Sequence, residues 1–149
     1  MTKIVVLVLW ILASTANNEI AAQKVITEYW DWNKTVIKST TQVNAQGERD
    51  GNMKFYDEKG RIMYSVNYSN GLEHGQHEFY FPNGKLQFVK TYNNGNRIGV
   101  QKEYDIWNDK YYLRSSRMIS KNGMVTSYTL NYSTGKVREK YDFNGMYSS

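Results

Sequence analysis

The stretch from Asn67 to Asp105, NYSNGLEHGQHEFYFPNGKLQFVKTYNNGNRIGVQKEYD, nearly says the same thing twice. Tyr68-Ser-Asn-Gly71 returns as Tyr92-Asn-Asn-Gly95, and Gly75 returns as Gly99. Working outward, Gly51, Gly75 and Gly99 stand 24 residues apart, as do Tyr56, Tyr80 and Tyr104. Gly60 with Gly84, Tyr68 with Tyr92 and Gly71 with Gly95 keep the interval. One step upstream, Gly47 takes the slot of Gly71 and Trp32 the slot of Tyr56. Downstream, Tyr104 to Tyr132 is 28 residues, and an insertion near Trp107-Asn-Asp-Lys-Tyr-Tyr112 accounts for the slip. A shortened last unit follows, with Tyr132-Ser-Thr-Gly135 and Tyr141-Asp-Phe-Asn-Gly145. Periods of this length mark stacked supersecondary units, none of which buries its apolar side alone.

Within a unit the pattern predicts strand, turn, strand. His77-Glu-Phe-Tyr-Phe81 has the bulk of a strand, and Phe81-Pro-Asn-Gly84 supplies a turn with Gly where positive φ is cheap. Leu86, Phe88 and Tyr92 then alternate with Gln87, Val89 and Thr91, as Ile62, Tyr64, Val66 and Tyr68 do with Met63, Ser65 and Asn67. One face is apolar and aromatic and the other mostly polar, as in antiparallel hairpins with one covered side. The predicted fold is all-β: an elongated antiparallel meander of stacked hairpins. Gly60 and Gly84 close the hairpins, and Gly71 and Gly95 follow Asn at left-handed positions. Gly51, Gly75 and Gly99 open the next strand, where bare backbone lets an aromatic ring lie close. Stacking of Tyr56, Tyr80 and Tyr104 along the ribbon is the expected source of cohesion.

The chain has 149 residues, no Cys, and Lys3 followed by the apolar run Ile4 to Leu12. That run is short for a bilayer span and has the length of a secretory leader, so residues 1–22 read as a signal helix. Cleavage is expected after Ala16 or Ala22; the alternatives are an uncleaved anchor or a buried strand. Residues 23–50 form an N-terminal segment with a degenerate first repeat, and 51–149 the regular hairpins. Removing 1–22 takes away Lys3 and Glu19 and leaves the net charge of +5 unchanged. The expected product is exported, periplasmic or secreted, with no transmembrane anchor after leader removal. Its cations are interspersed with acids rather than gathered into a phosphate-tracking block, which speaks against nucleic acid.

The motif Y-x-N-G-x3-G-x4-Y-x3-G, as it stands from Tyr68 to Gly84, resembles the MORN-repeat variant, especially in bacterial proteins of the YwqK-type antitoxin family. The likeness covers about Trp32 to Gly145 and is strongest over residues 51–104. It implies an elongated β-meander serving as a protein-interaction scaffold, sometimes linked to membranes; the antitoxin label implies binding of a toxin.

Chemistry is harder to find. His74 and His77, with Glu73 and Glu78, are the only candidate metal cluster, and they read as surface polar residues rather than ligands. No Ser lies in G-x-S-x-G, and no phosphate or dinucleotide loop is present. The pairs Glu28 with Asp31 and Asp57 with Glu58 fall at turns or segment ends. No enzyme activity, cofactor or metal is therefore expected. What remains is aromatic: Trp30 and Trp32 after the leader, and Trp107, Tyr111 and Tyr112 in the insertion. Each cluster either completes packing, as a cap or a longer hairpin, or anchors a partner. A protein partner is the leading expectation; an envelope polysaccharide stacked on exposed rings is the alternative, and a toxin-neutralising role is a special case of the first.

Overall fold

A computed structural model describes residues 23–143, which contain strands and turns and no helix. The expected signal helix and Gly145 lie outside the described residues. The strands are β1 (Lys24–Tyr29), β2 (Ile37–Val43), β3 (Arg49–Tyr56), β4 (Ile62–Ser69), β5 (Leu72–Glu73) and β6 (Gly75–Tyr80). They continue as β7 (Leu86–Asn93), β8 (Asn96–Arg97), β9 (Gly99–Trp107), β10 (Lys110–Ile119), β11 (Val125–Asn131) and β12 (Val137–Asp142). All belong to one antiparallel sheet in the order β1-β2-β3-β4-β6-β7-β9-β10-β11-β12, with β5 on β4 and β8 on β7. The ten strands of that path span about 43 Å at ~4.8 Å per strand.

Two turn types punctuate the sheet. In Asp57–Arg61, Phe81–Lys85 and Tyr132–Lys136, the first N–H donates to the fifth carbonyl and the glycine N–H to the first. This three-residue loop needs a left-handed residue before the second strand. Between units, Asn70–Gly71 and Asn94–Gly95 have positive φ at both positions, the mirror-image turn that fits strand twist. The chain then pairs for two residues, as β5 or β8, and bends at Gly75 or Gly99 before continuing. Each unit is one hairpin and a bent link.

Of the glycines expected to open strands, Gly75 and Gly99 begin β6 and β9 while Gly51 is the third residue of β3, and none of the three receives a ring. Gly51 has φ +105, and a Cβ there would collide with Gln42 Oε1; at Gly75 and Gly99 the nearest atoms belong to Asn67 and Thr91. Gln42 Oε1 is held in place by the Asn52 N–H at 2.6 Å. Gly51→Ala therefore adds a displaced side chain to the backbone strain and is expected to cost about 2–3 kcal/mol. Gly60→Ala, at φ +75 with open space around it, carries only the left-handed strain of about 1–2 kcal/mol. Denaturation midpoints of the two variants check the order.

Register decides which residues face inward. Phe55 lies opposite Tyr64, Tyr64 opposite Phe79, and Phe79 opposite Phe88. Their rings form a continuous ladder, with centroids 4.9, 6.0 and 6.4 Å apart, and Trp30 meets Phe55 edge-on at 5.7 Å. A second row runs Tyr68, His77, Tyr92 on the same face. The tyrosine stack expected from the interval is not what holds the sheet. Among the described residues neither Tyr56 nor Tyr80 joins a ring pair, and Tyr104 stacks only on Tyr111. Each follows an inward-facing residue, so strand alternation directs it away from the ladder. Tyr80 instead donates its hydroxyl to Glu78 at 2.6 Å, and burial, then that carboxylate, push it up to about 12.

Few side chains are fully covered, because the sheet is a single layer. Val43, Val66 and Ile119 are the buried apolar residues among those described, alongside Ser39, Ser65, His77, Gln101 and Ser115. His77 corrects its reading as a surface residue: it is 2% exposed, stacked on Tyr92 at 4.3 Å, with Nε2 3.1 Å from the Asn67 carbonyl.

Candidate functional site

In an antiparallel meander every second connection falls on the same long edge. One edge here carries loop 30–36, the turns 57–61, 81–85 and 132–136, and Asn108–Asp109. The other carries 44–48, Asn70–Gly71, Asn94–Gly95 and 120–124. The second edge has no Trp, Tyr or Phe in its turns. The first has Trp30, Trp32, Phe81, Trp107 and Tyr132 at or beside its turns, and one exposed lysine in each: Lys34, Lys59, Lys85, Lys110 and Lys136.

The aromatic candidates divide into those used by the fold and those left over. Trp30 is used: its Nε1–H donates to the Tyr56 carbonyl at 3.1 Å and Lys38 Nζ sits 5.0 Å over its ring. Trp32, two residues on, is 89% exposed. Its loop is nonetheless well braced. Asp31 accepts the N–H of Val36 at 2.8 Å and the hydroxyl of Thr35 at 2.8 Å. Those bonds, the Val36 N–H first, hold its carboxyl below the usual carboxylate range. The two tryptophans thus part, one packing inward and one projecting.

The insertion is a longer hairpin. Strands β9 and β10 run past their neighbours and close at Asn108–Asp109, both at positive φ. Tyr111 is structural: it stacks on Tyr104 at 5.2 Å, donates its hydroxyl to the Leu86 carbonyl at 2.9 Å, and lies 5.3 Å from Lys85 Nζ. It ties β10 across β9 to β7. Tyr112 is half-buried opposite Asp105. Trp107 at the tip is 62% exposed. Trp32 and Trp107 therefore stand on one edge, with six strand spacings, about 29 Å, between their turns. Tyr132, 53% exposed, continues the row two spacings further. Sequence reasoning missed Tyr132 as a member because it lies in a regular turn; counting alternate turns would have placed it.

The carboxylate pairs do not converge. Glu28 accepts the Ser39 hydroxyl at 3.0 Å, and Asp57 binds the Arg61 guanidinium at 2.6 Å. The histidines part as well: His74 is exposed with Nδ1 3.3 Å from Asn94 Oδ1, while His77 is enclosed. Among the described residues no three His, Asp or Glu side chains come together as a metal site.

These hairpins coincide with a known repeat. Residues 49–70 and 73–94 match the MORN repeat variant. The first match is β3, its turn, β4 and Asn70; the second covers β6 and β7, and both ends are displaced by the 24-residue interval seen in the sequence. Repeats of this kind are generally protein- or membrane-binding modules. No curated protein matches the chain. Among solved structures, the crystal structure of a GtfA/B complex bound to UDP and GlcNAc is similar at 14% identity with a TM-score of 0.33. The likeness covers 61% of this chain and 22% of that one, so this chain spans about a fifth of its length.

Proposed function

We propose that this MORN-variant sheet is a non-catalytic binding module of the bacterial envelope that holds an extended protein partner along its aromatic edge. The observation that carries this reading is the pairing of Trp32 and Trp107. Trp32 projects from a loop braced by Asp31 and Trp107 from the end of strand β9; both lie on one edge, and neither ring joins a ring pair among the described residues. Tryptophan anchors of this kind dominate binding energy when a partner desolvates them. The exposed lysines between them favour an acidic partner surface. Of the paired acids, Glu28, Asp31 and Asp57 are engaged in hydrogen bonds that shape their own turns and strands. The leader-like N-terminus supports export, and the resemblance to antitoxin repeats makes a toxin of the same envelope one such partner.

The test compares two sets of variants of the full chain, immobilised and exposed to envelope extract. Wild type retains a discrete protein, and Trp32→Ala/Trp107→Ala reduces its retention at least about tenfold. The double variant keeps its folding stability within about 0.5 kcal/mol, as exposed surface changes do. Trp30→Ala, by contrast, lowers stability. Retention of peptidoglycan or polysaccharide with no protein recovered would replace this reading with the glycan one.

A further inference from the structure

The broad face that carries the ring ladder changes character at β7. Lys90 occupies the repeat slot of Val66, which is buried, and Arg97 occupies the slot of Glu73. Neither substitution is required by the packing of the repeat, since the preceding unit packs without them. Arg117 on β10 joins them. Lys90, Arg97 and Arg117 line one groove of about 240 Å³ together with Gln101, Ser115 and Glu103. Arg97 and Arg117 also line an adjoining depression with Lys121 and Asn122.

The cations have little to neutralise them. Among the described residues none of Lys90, Arg97 and Arg117 forms a salt bridge. The one carboxylate lining the groove, Glu103, is engaged by the Ser115 hydroxyl at 3.1 Å and by Arg114 at 3.4 Å. Glu73 acts on Lys90 through space and favours its charge, but the two form no ion pair. Lys90 Nζ rests 4.9 Å over the Phe79 ring, and Arg97 leans on Tyr92. Burial, then Arg97, lower the Lys90 pKa, and Arg117 adds to the effect. Like charges gathered over an aromatic floor repel one another until an anion enters.

We propose that this groove binds a phosphate monoester group, seated between Lys90, Arg97 and Arg117. A dianion matches the excess charge, and two guanidinium groups supply the paired donors that phosphate oxygens accept. The site lies on the face of the sheet, separate from the aromatic edge, and stands or falls independently of the partner proposed there.

The full chain is titrated with glycerol 3-phosphate at low ionic strength while backbone and arginine side-chain NMR signals are followed. Saturable shifts confined to Lys90, Arg97, Gln101 and Arg117 are expected. Lys90→Val/Arg97→Glu, which installs the residues of the preceding repeat and so keeps the fold, weakens binding at least about tenfold. Lys54→Ala, on the opposite face, leaves it unchanged. Vesicles of phosphatidylcholine with phosphatidic acid form a second arm. Sedimentation with them that is lost in the double variant and not displaced by glycerol 3-phosphate assigns the group to a lipid headgroup; displacement assigns it to a soluble ester. Absence of saturable binding in both arms, or equal binding by the double variant, overturns the proposal, as does equal affinity for chloride.

Discussion

Phe79→Ala is expected to destabilise the sheet by about 3 kcal/mol, and Tyr80→Ala, its neighbour, by about 1 kcal/mol. Phe79 sits at the middle of the ring ladder, between Tyr64 at 6.0 Å and Phe88 at 6.4 Å, with Lys90 over its face. Removing it opens a gap between strands β4 and β7 that a single layer cannot refill from a second sheet. Each lost ring pair adds about 0.5–1.5 kcal/mol to the lost burial. Tyr80 loses a hydroxyl bond within its own strand and no ring pair. In a repeat array each unit is held chiefly by its neighbours, so Phe79→Ala should also broaden the transition and lower its denaturant dependence as the two halves uncouple. Urea unfolding followed by tyrosine and tryptophan fluorescence measures both effects. A larger loss for Tyr80→Ala would restore the tyrosine column as the source of cohesion.

That contrast shows where sequence reading stopped. The interval in residues 51–104 marks Phe55 with Phe79 as well as Tyr56 with Tyr80, and the interval alone says nothing about which of two adjacent positions faces inward. The third unit hides the ladder further, because Glu103 stands in the slot of Phe55 and Phe79. Register, fixed by the loops at Asp57–Arg61 and Phe81–Lys85, settles the matter. Period-two alternation did give the covered face of β4 and β7 correctly, through Tyr64, Val66, Tyr68, Phe88 and Tyr92. The same alternation passes through Lys90, and a lysine in phase with rings was the legible sign of the basic groove. Trp32 and Trp107 were visible as candidates, but their common edge is a property of the strand order. Trp30 and Tyr111 looked the same in sequence, and only their hydrogen bonds to Tyr56 and Leu86 show that the fold uses them.

Acid is expected to weaken the sheet in a window that His77 sets by itself. The Asn67 carbonyl only accepts, so His77 Nε2 carries the proton of the neutral ring and Nδ1 faces Glu73. Protonation would place a charge on a residue that is 2% exposed, between Tyr68 and Tyr92. Burial lowers the His77 pKa below 6.5, outweighing the Asn67 carbonyl and then Glu73, which favour the charge, and Lys90 adds repulsion. The unfolded chain therefore takes up the proton first, so stability is full above pH 6.5 and falls as pH drops below it. The loss levels off once pH passes below the folded pKa. Asp31 and Asp57, whose pKa values are lowered from 3.8 by hydrogen bonds from Val36 and Arg61, add their own loss only at pH 4 and below. His77→Phe separates the terms. The ring still stacks on Tyr92, and the Asn67 carbonyl keeps the His74 N–H at 2.9 Å, so the cost at pH 7.5 should be about 1 kcal/mol or less. His77→Ala, which leaves a gap beside Tyr92, should cost about 3 kcal/mol. Unfolding free energies measured from pH 7.5 to 5 should slope for wild type and lie flat for His77→Phe. An equal slope in both would show that the titrating group is elsewhere and that the enclosed imidazole is not held neutral by its surroundings.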